Sequence, residues 1–123
     1  MTGLDRVLAA LAALAGGLGV AASAAAAHTS GGETLKTAAQ FLLFHAPAVL
    51  ALTGLAATGF VRGGLARLAA AVLLVGLALF SGDLALRALT GTPLFPMAAP
   101  SGGVVLMAGW LLAAIAVLVP ARR

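Results

Sequence analysis

The chain of 123 residues contains no cysteine. That removes disulfides, iron–sulfur clusters, thiolate metal sites and cysteine nucleophiles together, and leaves the redox compartment open. Tyrosine is absent as well, and there is a single tryptophan. Charge is scarce: 8% of the residues are Asp, Glu, Lys or Arg, against about 25% in an ordinary soluble domain. So few polar side chains cannot cover a water-soluble globule. Only three acidic residues stand against seven basic ones, for a net charge of +4. The basic residues are scattered through apolar runs rather than gathered into the dense patch that binding nucleic acid requires. They read instead as membrane-topology signals.

What the chain has in abundance is apolar sequence, 63% of all residues, with a mean hydropathy of +1.17. This excess excludes intrinsic disorder. Crossing the hydrocarbon core takes about 20 apolar residues in a helix. Four stretches qualify, approximately 4–27, 38–59, 65–89 and 102–120. The runs do not alternate, so a transmembrane β-barrel is excluded. The short connections favour antiparallel neighbours. The expected fold is therefore all-α: one transmembrane domain over residues 1–123, an integral membrane four-helix bundle in antiparallel up-down topology.

With four spans, both termini and the middle loop share a side. That side holds Arg6, Arg62, Arg67, Arg122 and Arg123, and the other holds Lys36 and Arg87. The positive-inside rule then puts both termini in the cytoplasm. Ala25-Ala26-Ala27 before His28 resembles a signal-peptidase site. The apolar run ahead of it exceeds the usual h-region of about 7–15 residues, and the n-region balances one Arg with one Asp, so a retained helix is expected.

Within the first segment, Leu4, Leu8, Leu11, Leu14 and Leu18 form a bulky stripe at spacings of three and four. It is expected to face lipid, with the Ala/Gly side packed inward. Pro47 is expected to kink the second segment beside His45. Gly102-Gly103 after Pro100 reads as a close helix contact rather than an anion site. The outer loop Thr90–Ser101 carries three prolines and no charge. Its Leu94, Phe95 and Met97 are awkward in free water and mark a loop that folds onto the helix ends, dips into the membrane interface or docks a partner.

Ionisable groups inside a membrane are expensive and raise a functional question by default. His45 and Asp83 lie roughly 10 Å and roughly 9 Å in from the outer helix ends. Arg87 is one turn outward of Asp83 and can pair with it. His28 stands at the exit of the first helix. His28, His45, Asp83 and Arg87 therefore form a candidate outer polar cluster, with Ser81 and Gln40 as second members. It reads first as a structural lock between helices, and more sharply as a proton or ion relay, since histidine titrates near neutral pH. A bis-histidine haem would have to span His28 and His45, whose depths differ by most of a haem's width. A metal site would need a third ligand, for which Asp83 is the only nearby carboxylate inside a span, so none is expected. No catalytic residue, cofactor or metal is expected. No phosphate loop, G-x-S-x-G or H-E-x-x-H motif occurs, so no enzyme is expected either.

Four blocks in order resemble a known family. They are Ala24 to Ala27 followed by His28; Thr37-Ala38 with Phe41, Phe44, His45 and Ala46; Leu79-Phe80-Ser81-Gly82 with Leu84 and Thr90-Gly91; and Pro100, Gly102-Gly103 and Gly109-Trp110. The chain resembles the small four-helix membrane proteins known as domain of unknown function 423, the transmembrane protein 256-like family, as a divergent member. Phe41 and Phe44 replace that pattern's tyrosines, Leu42 its glutamine, and Asp83 a small residue. The resemblance implies a four-helix protein of bacterial inner or mitochondrial membranes, with no established activity.

The expectation that follows is a non-enzymatic, multi-pass protein of the bacterial inner membrane, acting as an accessory or scaffold subunit against a larger complex. Its partners would be membrane lipid and other membrane-protein subunits, with neither nucleic acid nor a soluble substrate. The alternative is a small oligomeric channel or permease using the outer His/Asp cluster.

Overall fold

The computed structural model describes residues 1–30 and 32–121; Arg122 and Arg123, which enter the orientation argument, lie outside the described residues. Those described form four helices: α1 (Gly3–Ala27), α2 (Gly32–Thr58), α3 (Gly63–Thr90) and α4 (Ala98–Leu118). No strand occurs among the described residues. Even α4, with 21 residues, reaches roughly 31 Å at the usual helical rise. All four are long and apolar enough to cross a membrane. The protein is thus an all-α, multi-pass membrane bundle.

α1 opens with a capping box. Asp5 N–H donates to Thr2 Oγ1, and Thr2 N–H donates to Asp5 Oδ2, so two of the orphan amide groups of the first turn are satisfied. The buried face of α1 is Asp5, Leu8, Ala12, Ala15 and Gly19, at alternating spacings of three and four. Leu8 falls on that face and is 4% exposed. The expected leucine stripe is corrected accordingly: Leu4, Leu11, Leu14 and Leu18 point outward, while Leu8 sits one helical turn from both Asp5 and Ala12 and packs inward.

α2 begins at Gly32, earlier than the apolar run at Ala38, because Glu33 and Lys36 extend the helix as good helix formers with their charges exposed. A Cβ on Gly32 would collide with the Ala26 carbonyl oxygen, so the α1–α2 turn requires glycine there. α2 runs through Pro47 without interruption. α3 ends at Thr90 and is capped by Gly91, whose φ of 78° is the left-handed conformation that favours glycine. The α3–α4 loop is shorter than expected, since Ala98–Ser101 already belongs to α4. Pro100 fits because its missing N–H falls in the first turn, where no intrahelical acceptor exists.

α1 packs on α2, α2 on α3 and α3 on α4; α1 meets α3 at few points, and among the described residues α1 and α4 share no packed interface. Contacts run in opposite order along consecutive helices. Gly16 faces Ala46 and Gly19 faces Leu43; Gly76 faces Leu106 and Gly109 faces Leu73. The α3–α4 backbones also meet closely. A Cβ on Gly102 would stand 2.5 Å from the Phe80 backbone nitrogen, and one on Gly109 2.7 Å from Leu73 Cδ2. Glycine is what allows these two backbones to meet.

Candidate functional site

His45 comes from the middle of α2 and is buried. Trp110 reaches it from α4, its indole Nε1–H donating to His45 Nε2 at 3.1 Å. An indole nitrogen only donates, so His45 Nε2 accepts and the ring proton sits on Nδ1. Nδ1 lies 2.7 Å from the Phe41 carbonyl oxygen one turn back and donates to it. The ring is therefore the neutral Nδ1–H tautomer with both nitrogens engaged. Phe41 stacks on it at 5.7 Å between centroids and meets Phe80 of α3 at 4.3 Å. One aromatic junction thus joins α2, α3 and α4.

Asp83 is fully buried on α3. Its Oδ2 accepts from Arg87 Nε at 2.8 Å, the two being one turn apart. Its Oδ1 accepts from the Leu94 backbone N–H, also at 2.8 Å. The carboxylate therefore clasps the apolar loop against α3. Leu94, Phe95 and Met97, the loop's large side chains, stay exposed. Met97 caps α4 with φ 68°.

Of the four residues singled out by sequence, the structure pairs Asp83 with Arg87. It directs the His45 nitrogens to Phe41 and Trp110 instead. His28 is exposed at the C-cap of α1, where its backbone N–H bonds Ala25 O. Ser81 is buried and donates to the Ala38 carbonyl at 3.0 Å, stitching α3 to α2, while Gln40 is exposed. Among the described residues, no three His, Cys, Asp or Glu side chains gather as a metal set.

Two partners were not foreseen. Asp5, fully buried, receives Arg67 Nε on Oδ1 at 2.7 Å and Arg67 Nη2 on Oδ2 at 3.3 Å. This two-pronged pair ties the start of α1 to the start of α3, with α2 intervening in sequence. A signal was present: Thr2-x-x-Asp5 is a capping-box spacing, and Asp5 continues the Leu8–Ala12 stripe. The other is Trp110, whose N–H needs an acceptor when its ring packs on a protein.

The family model described as "Protein of unknown function (DUF423)" matches residues 15–103. The chain belongs to this family. The match takes in His28, His45, Arg67, Asp83 and Arg87, and leaves Asp5 and Trp110 outside it. No curated protein and no solved structure matches the chain.

Proposed function

We propose that this family member is a non-enzymatic accessory or scaffold subunit that packs against a larger complex of the bacterial inner membrane. Its helices cross in up-down order with both termini cytoplasmic. The opposed contact order of consecutive helices supports the topology. So does the Asp5–Arg67 pair, which brings the first turns of α1 and α3 to one end. The excess of arginine at that end supports the orientation.

The observation that carries the subunit reading is the outer face of α1. Ala10, Ala13, Gly17, Ala21 and Ala24 are all exposed and share one side of the helix. A Cβ on Gly17 would meet nothing within 4 Å. Small residues repeating every three or four positions let a second membrane helix approach closely, and none of the four described helices covers them. The buried polar groups, by contrast, serve as internal ties: Asp5 to Arg67, Asp83 to Leu94, His45 to Trp110.

Native electrophoresis of a mild-detergent extract, with mass spectrometry of the band, tests the reading. The wild type is expected to migrate within a large assembly. Gly17→Leu is expected to release it while leaving its own thermal stability unchanged. Migration of the wild type as a small species free of other subunits refutes the subunit role. Ion or solute flux in reconstituted vesicles that is lost in both Asp83→Asn and His45→Ala favours the channel reading instead.

A further inference from the structure

The charges on α3 mark depth along the bundle. Arg67 is tied to buried Asp5 near one end, and Arg87 is exposed near the other. Between them only Asp83 is charged. Arginines near the ends of a membrane helix place their charge at the edges of the hydrocarbon core. Arg87 follows Arg67 by 20 positions, roughly 30 Å of helix, about the thickness of that core. The two arginines therefore bracket it. Asp83, one turn short of Arg87, lies roughly 6 Å inside the bracket.

The α3–α4 loop does not stay outside. α3 runs on to Thr90, and the chain then doubles back along it. Leu94 N–H reaches Asp83 Oδ1 at 2.8 Å. A Cβ on Gly82, one residue deeper, would stand 3.7 Å from Leu94 Cδ1. Contacts along α3 and α4 run in opposite order, with Gly102 against Phe80. Ala98, one turn before Gly102, thus starts α4 roughly level with Leu84. We propose that this loop is immersed in the bilayer, with Leu94, Phe95 and Met97 packed among the acyl chains of the adjoining leaflet.

The side chains suit lipid and not water. Leu94, Phe95 and Met97 are 47%, 46% and 65% exposed, and no residue from Ala88 to Ser101 is charged. At this depth they continue the apolar surface that Val75 of α3 and Val104 and Met107 of α4 present outward.

The backbone is adapted to the same depth. Irregular chain inside a membrane has to satisfy its polar groups without bulk water. Pro93 and Pro96 have no N–H to satisfy. Of the five amide donors from Gly91 to Met97, three are taken within the chain. Gly91 N–H donates to Arg87 O, Thr92 N–H to Thr90 Oγ1 and Leu94 N–H to Asp83 Oδ1. The carbonyls of Phe95 and Met97 accept from Ala98 and Ser101. A buried carboxylate within a span is expensive, and pairing with Arg87 engages only Oδ2. Oδ1 supplies the acceptor that water would otherwise give the Leu94 amide.

The test reads where the loop sits. The chain has no cysteine of its own, so single spin labels can be placed at Phe95→Cys and, independently, at Met97→Cys. Both side chains are exposed, so neither substitution empties the core. The full chain is reconstituted in phosphatidylcholine vesicles. Collision of each label with oxygen, which concentrates in lipid, is compared with collision with a water-soluble nickel chelate. Exposed Lys36→Cys gives the water reference, and Val104→Cys, 61% exposed on α4, the lipid reference. Both loop labels are expected to share the oxygen preference of Val104→Cys, in smaller degree because they lie nearer the surface. Nickel collision at either site as frequent as at Lys36→Cys places the loop in water and overturns the proposal. Shielding of the labels from both reagents also overturns it, because protein, a second copy included, then covers the loop instead of lipid.

Discussion

Gly102 and Gly103 are neighbours on α4, yet alanine should act on them with opposite signs. At Gly102 the new Cβ stands 2.5 Å from the Phe80 backbone nitrogen and 2.9 Å from Leu79 Cβ. Tight but tolerable contact begins near 3.0–3.4 Å, so α3 and α4 must part by roughly 0.5–0.9 Å, taking the 2.5 Å approach from each limit. Backbone cannot swing aside as a flexible side-chain end can. A gap of about 0.5–1 Å already forfeits a quarter to a half of each dispersion contact along the interface. Overpacking of this kind costs about 1–3 kcal/mol. At Gly103 the nearest atom would be Phe80 Cδ2 at 3.9 Å, an ordinary contact. Both substitutions gain the same helix propensity, about 1 kcal/mol, and the difference between the variants cancels it. Gly102→Ala should therefore be less stable than Gly103→Ala by about 1–3 kcal/mol, with Gly103→Ala at or above wild type. Equilibrium unfolding in mixed detergent micelles measures the difference. A Gly102→Ala protein as stable as Gly103→Ala would refute the close α3–α4 approach.

Three further outcomes are expected. Trp110→Phe keeps the ring and removes the donor to His45, so stability should fall by about 0.5–1.5 kcal/mol, and the loss should vanish in a His45→Leu background measured by the same unfolding assay. Asp83→Asn takes the charge from Arg87 and weakens the hold on Leu94; amide exchange at Leu94 should accelerate while exchange in the middle of α3 stays slow, and equal acceleration in both would contradict the clasp. Because the chain has no native cysteine, Lys36→Cys and Gly64→Cys can each be labelled alone; an impermeant maleimide should reach the first in intact spheroplasts and the second only after lysis, and the reverse pattern would invert the topology.

The four helices were legible because membrane-length apolar runs leave few alternatives. Their ends were less so. α2 gains its first turns from Glu33 and Lys36, which hydropathy rejects and helix propensity accepts. α4 starts before Gly102 because a first-turn proline is no obstacle to a helix. Asp83–Arg87 was legible because both residues lie on one helix at a fixed spacing. Its third member, the Leu94 amide, depends on how a loop folds back. Asp5–Arg67 and His45–Trp110 join residues more than sixty positions apart. Such pairs depend on lateral order and register between helices, which periodicity within a helix does not encode. Leu8 shows the same limit at smaller scale. It satisfies the leucine spacing and the buried spacing equally, and only the position of α2 decides between them.

The lack of a packed α1–α4 interface among the described residues bears on how the protein is made. Each helix packs mainly on the one that precedes it in the chain. A closed ring of four would leave α1 waiting for α4 before its inner face was covered. Here α1 and α2 can pair as soon as both have entered the bilayer. α3 then adds with Arg67 closing onto Asp5, and α4 arrives last, locked by Trp110. Assembly can follow the order of synthesis, with each arriving helix meeting a surface that is already built.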